Sequence, residues 1–537
     1  MFVWTWQDRD IQQIGANMSK YLYGLSVKDI QNLIFSTNEL KSIIGGSGLI
    51  KSFEVDKKEY DKNIIINAAG NIKLVFEEDE KDKLLKLVLT LRREFSKKAC
   101  GVEICQSIVK FEDGELKKAF KKLERELNTE RNRAHLPFDF SNFLIKMAPK
   151  SGRPMVAGDD ADLLTLQKNN YYNDNIKKDD LAGGLEIKTI PKNSKNKTAI
   201  IHADGNSLGM KIATLLEDKT TDEEVKDIYK NFSAKLEKIT QDAFEEAIKP
   251  FKDKKRYKNI RKVILGGDDL AIICSADIAL ELTSKFIKKF EELSAQELSF
   301  KNAEYNKLTM CAGIAFCNHK FPFHYAINLA ESLCSYAKEQ SRAMNNDLPP
   351  SSIMFHNIQS SSVSNYKNLI ATELTFRNII KKLDIGEVFV EKETKKESIK
   401  EYNNVDIGLN FGPYFIDEED VKGSSFITVD RFLELTELFM KNNSPKSRLR
   451  DYLDILADNY TNSKTRLKRI SEMIASKNSG SDDFTTKEFE GKFQFGDKFS
   501  FTNPFVARIK DEKISCYTPF YDIISYFSIT DIKKDEQ

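Results

Sequence analysis

Two apolar runs, Val263-Ile264-Leu265 and Leu270-Ala271-Ile272-Ile273, meet at Gly266-Gly267-Asp268-Asp269. The pattern predicts a β-hairpin, because glycine supplies positive φ in a tight turn at no steric cost. Two adjacent carboxylates on such a turn repel one another unless a cation neutralises them. Hard oxygen ligands of this kind suit Mg²⁺ or Mn²⁺. The two glycines leave bare backbone that a phosphate can approach closely. Glycine and aspartate are also ordinary turn residues, so the motif alone leaves a plain turn open.

A second stretch narrows the choice. Thr198-Ala199-Ile200-Ile201-His202-Ala203-Asp204-Gly205-Asn206-Ser207-Leu208-Gly209 reads as a short strand ending in an acid, then a polar turn opening into a helix. A long helix from Asp222 to Lys249 follows, with Pro250 at its end. Then come the hairpin, a helix from Ala279 to Leu293 and a strand from Leu308 to Phe316. This order is βαββαβ. Right-handed crossovers place the third strand between the first two. The tip of strand one therefore lies beside the hairpin turn, which brings Asp204 to Asp268 and Asp269. Three converging carboxylates suit a two-metal site for phosphoryl transfer. Beyond the last strand, the helix Tyr325 to Arg342 carries Lys338, either as a solvated cation near a helix C-terminus or as a triphosphate contact.

The same order of elements occurs earlier. Tyr21 to Phe35 is a strand running into an apolar segment. Ser36-Thr37-Asn38 caps a helix expected to stop at Gly45-Gly46. Ile64 to Phe76 is a second hairpin, Lys81 to Lys98 an amphipathic helix and Gly101 to Phe111 a closing strand. Its turn, Ala68-Ala69-Gly70-Asn71, has no acids, so this copy is expected to hold structure or a nucleotide without metal chemistry. Residues 115–135 form a helix with interleaved charges, read as a solvated, salt-bridged face. Residues 149–197 read as an irregular connector, mobile near Asn169 to Lys178, with a linker at Pro191 to Lys197. Beyond Ser364 apolar residues recur three and four apart, predicting helices at Ser364–Leu383, Val429–Asn442, Ser447–Tyr460 and Thr465–Ser476. Ser479 to Asp483 reads as a flexible loop, and Ile514 to Ile529 as a core element. The expected fold is α+β: two ferredoxin-like βαββαβ domains, a helical connector and a C-terminal, mainly helical domain. The boundaries fall at 1–112, 113–197, 198–362 and 363–537.

Charged residues make up 31% of the 537, yet the net charge is only +1, so bulk basicity gives no argument for nucleic acid. No signal peptide and no membrane span is expected, and the protein reads as cytoplasmic. The seven cysteines include no Cys-x-x-Cys pair and are expected as small core residues. The five histidines are scattered, which predicts no zinc site.

The ordered motifs resemble the large polymerase-cyclase subunits of type III CRISPR effectors. The likeness rests on Ile30-Gln31-Asn32-Leu33-Ile34-Phe35 with Gly45-Gly46-Ser47-Gly48-Leu49, on Ala203 to Gly209, and on the GGDD core Gly266 to Asp269. It extends to Cys311-Ala312-Gly313-Ile314-Ala315-Phe316 and to Leu329 through Lys338. Gly412-Pro413-Tyr414 and Tyr517 to Asp522 add a looser likeness. The resemblance implies a nucleotidyltransferase that makes cyclic oligoadenylates or a smaller cyclic nucleotide from ATP, in antiviral defence. It implies catalysis and Mg²⁺ or Mn²⁺ binding at Asp204, Asp268 and Asp269, with the Gly205 backbone as a further ligand. Nucleotide contacts would come from Gly205, Asn206, Ser207, Gly266, Gly267 and Lys338. Guide or target RNA, other subunits of such a complex, or further copies of this chain are the implied partners. The family's HD nuclease domain and its zinc-finger cysteines are missing from the pattern, so no DNase activity is expected from such a domain. Asn206 stands where related palms carry a second acid, and Ser26 where a catalytic first palm has one. The competing reading is a non-catalytic scaffold that binds ATP or RNA.

Overall fold

The computed structural model describes residues 19–68, 70–133, 145–177, 191–253, 260–298, 306–360, 365–384, 388–390, 401–477, 480, 482–510 and 513–530. The chain divides into two compact units. One comprises residues 1–33, 49–167 and 214–233; the other comprises 34–48, 168–213 and 234–537.

The first unit is built on strands β1 (Ser19–Val27), β2 (Ile64–Ala68), β3 (Asn71–Glu77) and β4 (Ile104–Glu112). They lie in the order β2-β3-β1-β4, with β1 antiparallel to both neighbours. This is the strand order that the βαββαβ reading requires. The helices Lys81–Lys98 and Leu116–Asn132 each bury an apolar stripe: Leu84, Leu87, Leu91 and Phe95 in one, Leu116, Phe120, Leu123 and Leu127 in the other. The charged helix is therefore amphipathic; Glu124 pairs with the buried Lys73 of β3, and other ion pairs lie on the outer face. Lys118–Glu115 and Arg133–Glu130 are among them. On the strand-one tip, the Ser26 hydroxyl accepts from Arg131 at 2.8 Å.

The second unit holds the GGDD hairpin. Strands β5 (Lys197–Gly205), β6 (Ile260–Gly266), β7 (Asp269–Ser275) and β8 (Met310–Asn318) repeat the arrangement in the order β8-β5-β7-β6. A fifth strand, β9 (Ser352–Asn357), adds parallel to β8. The helices Ala276–Glu297 and Phe323–Met344 bury long apolar faces. A third sheet has the order β10-β12-β15-β14-β11, from β10 (Thr375–Asp384), β11 (Phe389–Val390), β12 (Glu401–Gly408), β14 (Val506–Lys510) and β15 (Lys513–Tyr517); the short β13 (Tyr414–Phe415) extends the palm sheet beside β9. The C-terminal helices Val429–Leu438, Lys446–Asp458 and Tyr460–Lys477 fall where apolar spacing placed them. The last helix, Phe520–Ile529, is buried as expected.

Four local expectations are corrected. The helix beginning at Leu40 runs to Lys51, through Gly45-Gly46. These glycines allow close approach rather than ending the helix: a Cβ on Gly45 would sit 2.1 Å from the Lys168 carbonyl oxygen, and one on Gly48 2.6 Å from the Tyr171 ring. The segment opposite, read as mobile, is the helix Leu163–Tyr171 with a π-helical turn at Tyr172–Ile176. Lys168 is fully buried there and donates to the Ser36 hydroxyl at 2.7 Å. Lys178 lies outside the described residues, as do Ser364 and part of Ser479 to Asp483. Helix Asp222–Asp253 continues past Pro250 by three residues. Within 364–383, a helix covers only Tyr366–Thr372; Thr375 onward is strand β10, paired with β12.

Six of the seven cysteines are buried and all are free. Among the described residues, no helix is long and apolar enough to cross a membrane.

One buried carboxyl gives the fold a pH dependence. Asp522 accepts from the Tyr414 hydroxyl at 2.7 Å and from the Gly412 N–H at 3.4 Å. Burial pushes its carboxyl up to about 7, whereas an unfolded aspartate titrates near about 3.9. The folded chain thus binds more protons than the unfolded one between these values, and Asp522 costs stability as pH climbs from about 4 to about 7. Asp522→Asn does not titrate. Its stability relative to the native chain should rise by about 2 kcal/mol between pH 5 and pH 7. Urea unfolding of both proteins at the two pH values measures this; parallel pH profiles contradict it.

Candidate active site

β5 is central in its sheet because its residues are apolar on both faces from Ala199 to Ile201 and buried by helices. It pairs with β7 up to Ala203↔Leu270 and with β8 through Asp204↔Cys311. Asp204 is thereby delivered to the strand tip, level with the start of β7. The hairpin closes with Gly266 paired to Asp269, leaving Gly267 and Asp268 as its two-residue turn. Gly267 has φ +61°, the requirement of a II′ turn at its first central position. The Thr240 hydroxyl donates to the Gly267 carbonyl at 2.5 Å and pins the turn.

The carboxylates converge as the crossover argument demands. A Cβ on Gly205 would lie 3.0 Å from Asp268 Cβ and 3.3 Å from Asp268 Oδ2. One ligand atom from each of His202, Asp204 and Asp269 lies within 4.8 Å of the other two. The charges resist being together. Burial, then the Asp204 carboxylate, then Asp269 push Asp268 up to about 7. Burial and Asp204 push Asp269 up to about 6, against an opposing pull from Lys338. Carboxyls raised by burial and by one another mark a place arranged to receive positive charge.

Lys338 supplies some of that charge. Its ammonium forms an ion pair with Asp204 Oδ2 and donates to the Gly205 carbonyl at 2.7 Å. These are two of the oxygens expected to hold a metal, so a cation already fits among them. Gly266 and Gly267 each face open space, with nothing within 4 Å of an added Cβ. Asp204, Gly205, Gly266, Gly267, Asp268, Asp269 and Lys338 thus share one locus. Asn206 turns away into the framework: it is buried, and its amide nitrogen donates to Thr309 Oγ1 at 3.2 Å and to the Pro349 carbonyl at 3.3 Å. Ser207, at φ +54°, opens the helix Leu208–Leu215.

His202 was not among the expected site residues. Two residues before Asp204 on a strand, it projects from the same face, and that alternation was the available signal. It is 6% exposed, and its Nδ1 has no hydrogen-bond partner. Burial lowers the imidazole to about 4, with Asp204 and Lys338 acting in opposite directions.

A sheet of this order, with acids at the strand-one tip and on the hairpin turn, defines a palm domain. Residues 197–346 match the family model "Cas10/Cmr2, second palm domain". The match covers strands β5 to β8, which carry Asp204 and the GGDD turn, so this stretch is similar to that second palm domain. No curated protein matches the chain. Among solved structures, a Csm1-Csm4 cassette in complex with AMPPNP is similar at 13% identity and TM-score 0.41, over 63% of this chain and 54% of that one. The cassette in complex with cA4 aligns at 13% identity and TM-score 0.40, over 63% and 55%. The Csm1-Csm4 subcomplex of the type III-A interference complex gives 13% and 0.40, over 62% and 54%. The chain therefore spans about half the length of these solved chains.

Proposed function

We propose that residues 198–362 form a metal-dependent nucleotidyltransferase that joins ATP into cyclic nucleotide messengers in type III CRISPR-like defence. The observation that supports this reading is the proximity of the Asp204, Asp268 and Asp269 carboxylates, with the Lys338 ammonium on Asp204 and the Gly205 carbonyl.

Mg²⁺ or Mn²⁺ fits this donor set, which is rich in carboxylate and carbonyl oxygen. Asp204, Asp268, Asp269 and the Gly205 carbonyl would hold it. When bound, such an ion neutralises charge on the attacking and leaving oxygens of an in-line displacement. The chain's own groups do the rest. The open backbone at Gly266-Gly267 admits the triphosphate. Lys338, released from Asp204, turns its ammonium to the phosphates. A 3′-hydroxyl of a neighbouring nucleotide would lose its proton near Asp268 and Asp269 as that oxygen attacks the α-phosphorus and pyrophosphate leaves. Partners in this reading are ATP, RNA and further subunits of an RNA-guided complex, or other copies of the chain.

The test is to incubate the pure chain with Mg²⁺ or Mn²⁺ and each nucleoside triphosphate, with and without RNA, and to resolve the products by chromatography. Cyclic or linear 3′-linked products that form from ATP and release pyrophosphate are expected. Binding of ATP and metal with no product under every condition would support the scaffold reading instead.

A further inference from the structure

The donor set contains one group that a Mg²⁺ site does not need. His202 lies on the central strand with small neighbours on either side, Ala271 on β7 and Gly313 on β8. Its ring is nine-tenths buried, its Nδ1 is unpartnered, and a ring nitrogen falls within 4.8 Å of ligand oxygens from both Asp204 and Asp269. A buried, unbonded imidazole nitrogen is a costly feature unless something completes it. Meanwhile the position two residues after Asp204 offers an amide, Asn206, whose nitrogen donates to Thr309 Oγ1 and the Pro349 carbonyl. Strand one thus presents one carboxylate and one imidazole on the same face.

We propose that His202 is a nitrogen ligand of the ion held by Asp204 and Asp269, and that this palm therefore selects a first-row transition ion of the Mn²⁺ kind over Mg²⁺. Mg²⁺ keeps to oxygen donors and gives up water reluctantly, whereas an imidazole beside carboxylates raises affinity along the Mn²⁺, Fe²⁺, Co²⁺ series. The inference rests on the metal-binding half of the proposed function and not on product formation.

Mn²⁺ is the probe. The full chain, loaded with one equivalent and no nucleotide, is measured by pulsed electron paramagnetic resonance. A ¹⁴N modulation is expected, converting to ¹⁵N when only the histidines are labelled. In His202→Gln the modulation should vanish. Mn²⁺ affinity should fall by roughly tenfold or more, while Mg²⁺ affinity changes by less than about twofold. The labelled native chain decides the matter even if the variant folds poorly. Bound Mn²⁺ without a histidine nitrogen overturns the proposal, as does a coupling that survives in the variant or an absence of Mn²⁺ binding. A chain that shows the coupling yet makes no product refutes the enzymatic reading alone; a chain that makes product without the coupling refutes only this one.

Discussion

Asp268→Ala combined with Asp269→Ala is expected to abolish the proposed product formation from ATP, a fall of at least about 10³-fold, and to leave the protein at least as stable as the native chain at pH 8. The first half follows from charge. Removing both turn carboxylates leaves Asp204 alone against the Lys338 ammonium, and a neutralised acid has little left to hold a divalent ion. Losing a ligand set that acts as a unit removes its contribution nearly whole. The second half follows from the sign of the carboxyl shifts. Both acids titrate higher in the fold, at about 7 and about 6, than in an unfolded chain, near about 3.9. Groups shifted this way take stability away as pH rises through that window, and by pH 8 the whole penalty is present. Alanine removes it. A merely structural pair of acids would show the opposite stability change. Product assay and thermal unfolding on the same preparation read both halves; unchanged synthesis defeats the assignment of these residues, and a large drop in melting temperature defeats the electrostatic account.

The parts of this molecule legible in the sequence are those governed by local rules or by handedness. The hairpin was readable because Gly267 answers a specific backbone demand, φ +61°. The approach of Asp204 was readable because right-handed crossovers admit one strand order, and the observed β8-β5-β7-β6 is that order. What stayed hidden depends on partners distant in the chain. Phe376, Ile379, Ile380 and Leu383 recur three and four apart, as on a helix, yet they lie in β10. A register shift between Phe376 and Ile380, with Asn378 at φ +54°, breaks the two-residue alternation and imitates a helical period. Gly45-Gly46 looked like a stop because glycine ends helices; only the Lys168 carbonyl oxygen, 2.1 Å from an added Cβ, explains why it is tolerated inside one. No chain-local metal motif marks His202; what sets it beside Asp204 is the two-residue period of a strand.

The same reasoning from close approach makes Gly313→Ala the most damaging single methyl in the palm. Gly313 sits on β8, where a Cβ would come 1.9 Å from the Ala330 carbonyl oxygen, 2.5 Å from the Cys334 nitrogen and 2.8 Å from Leu333 Cβ. Two of these are backbone atoms of helix Phe323–Met344, so no rotamer change can relieve the clash. The helix must lift from the sheet or β8 must bend. Overpacking usually costs about 1–3 kcal/mol, and a backbone-on-backbone clash belongs at or beyond the upper end, so about 3 kcal/mol or more is expected. The damage reaches the site, because the same helix carries Lys338 and holds it against Asp204 and the Gly205 carbonyl. Gly266→Ala is the control. It adds the same methyl where nothing lies within 4 Å, so stability should change by less than about 0.5 kcal/mol, while product formation suffers because the methyl enters the space proposed for phosphate. Denaturant unfolding and product assays on both variants separate a methyl that breaks packing from one that blocks a substrate. A Gly313→Ala protein within about 1 kcal/mol of the native chain would show that the helix does not rest on this strand as closely as described.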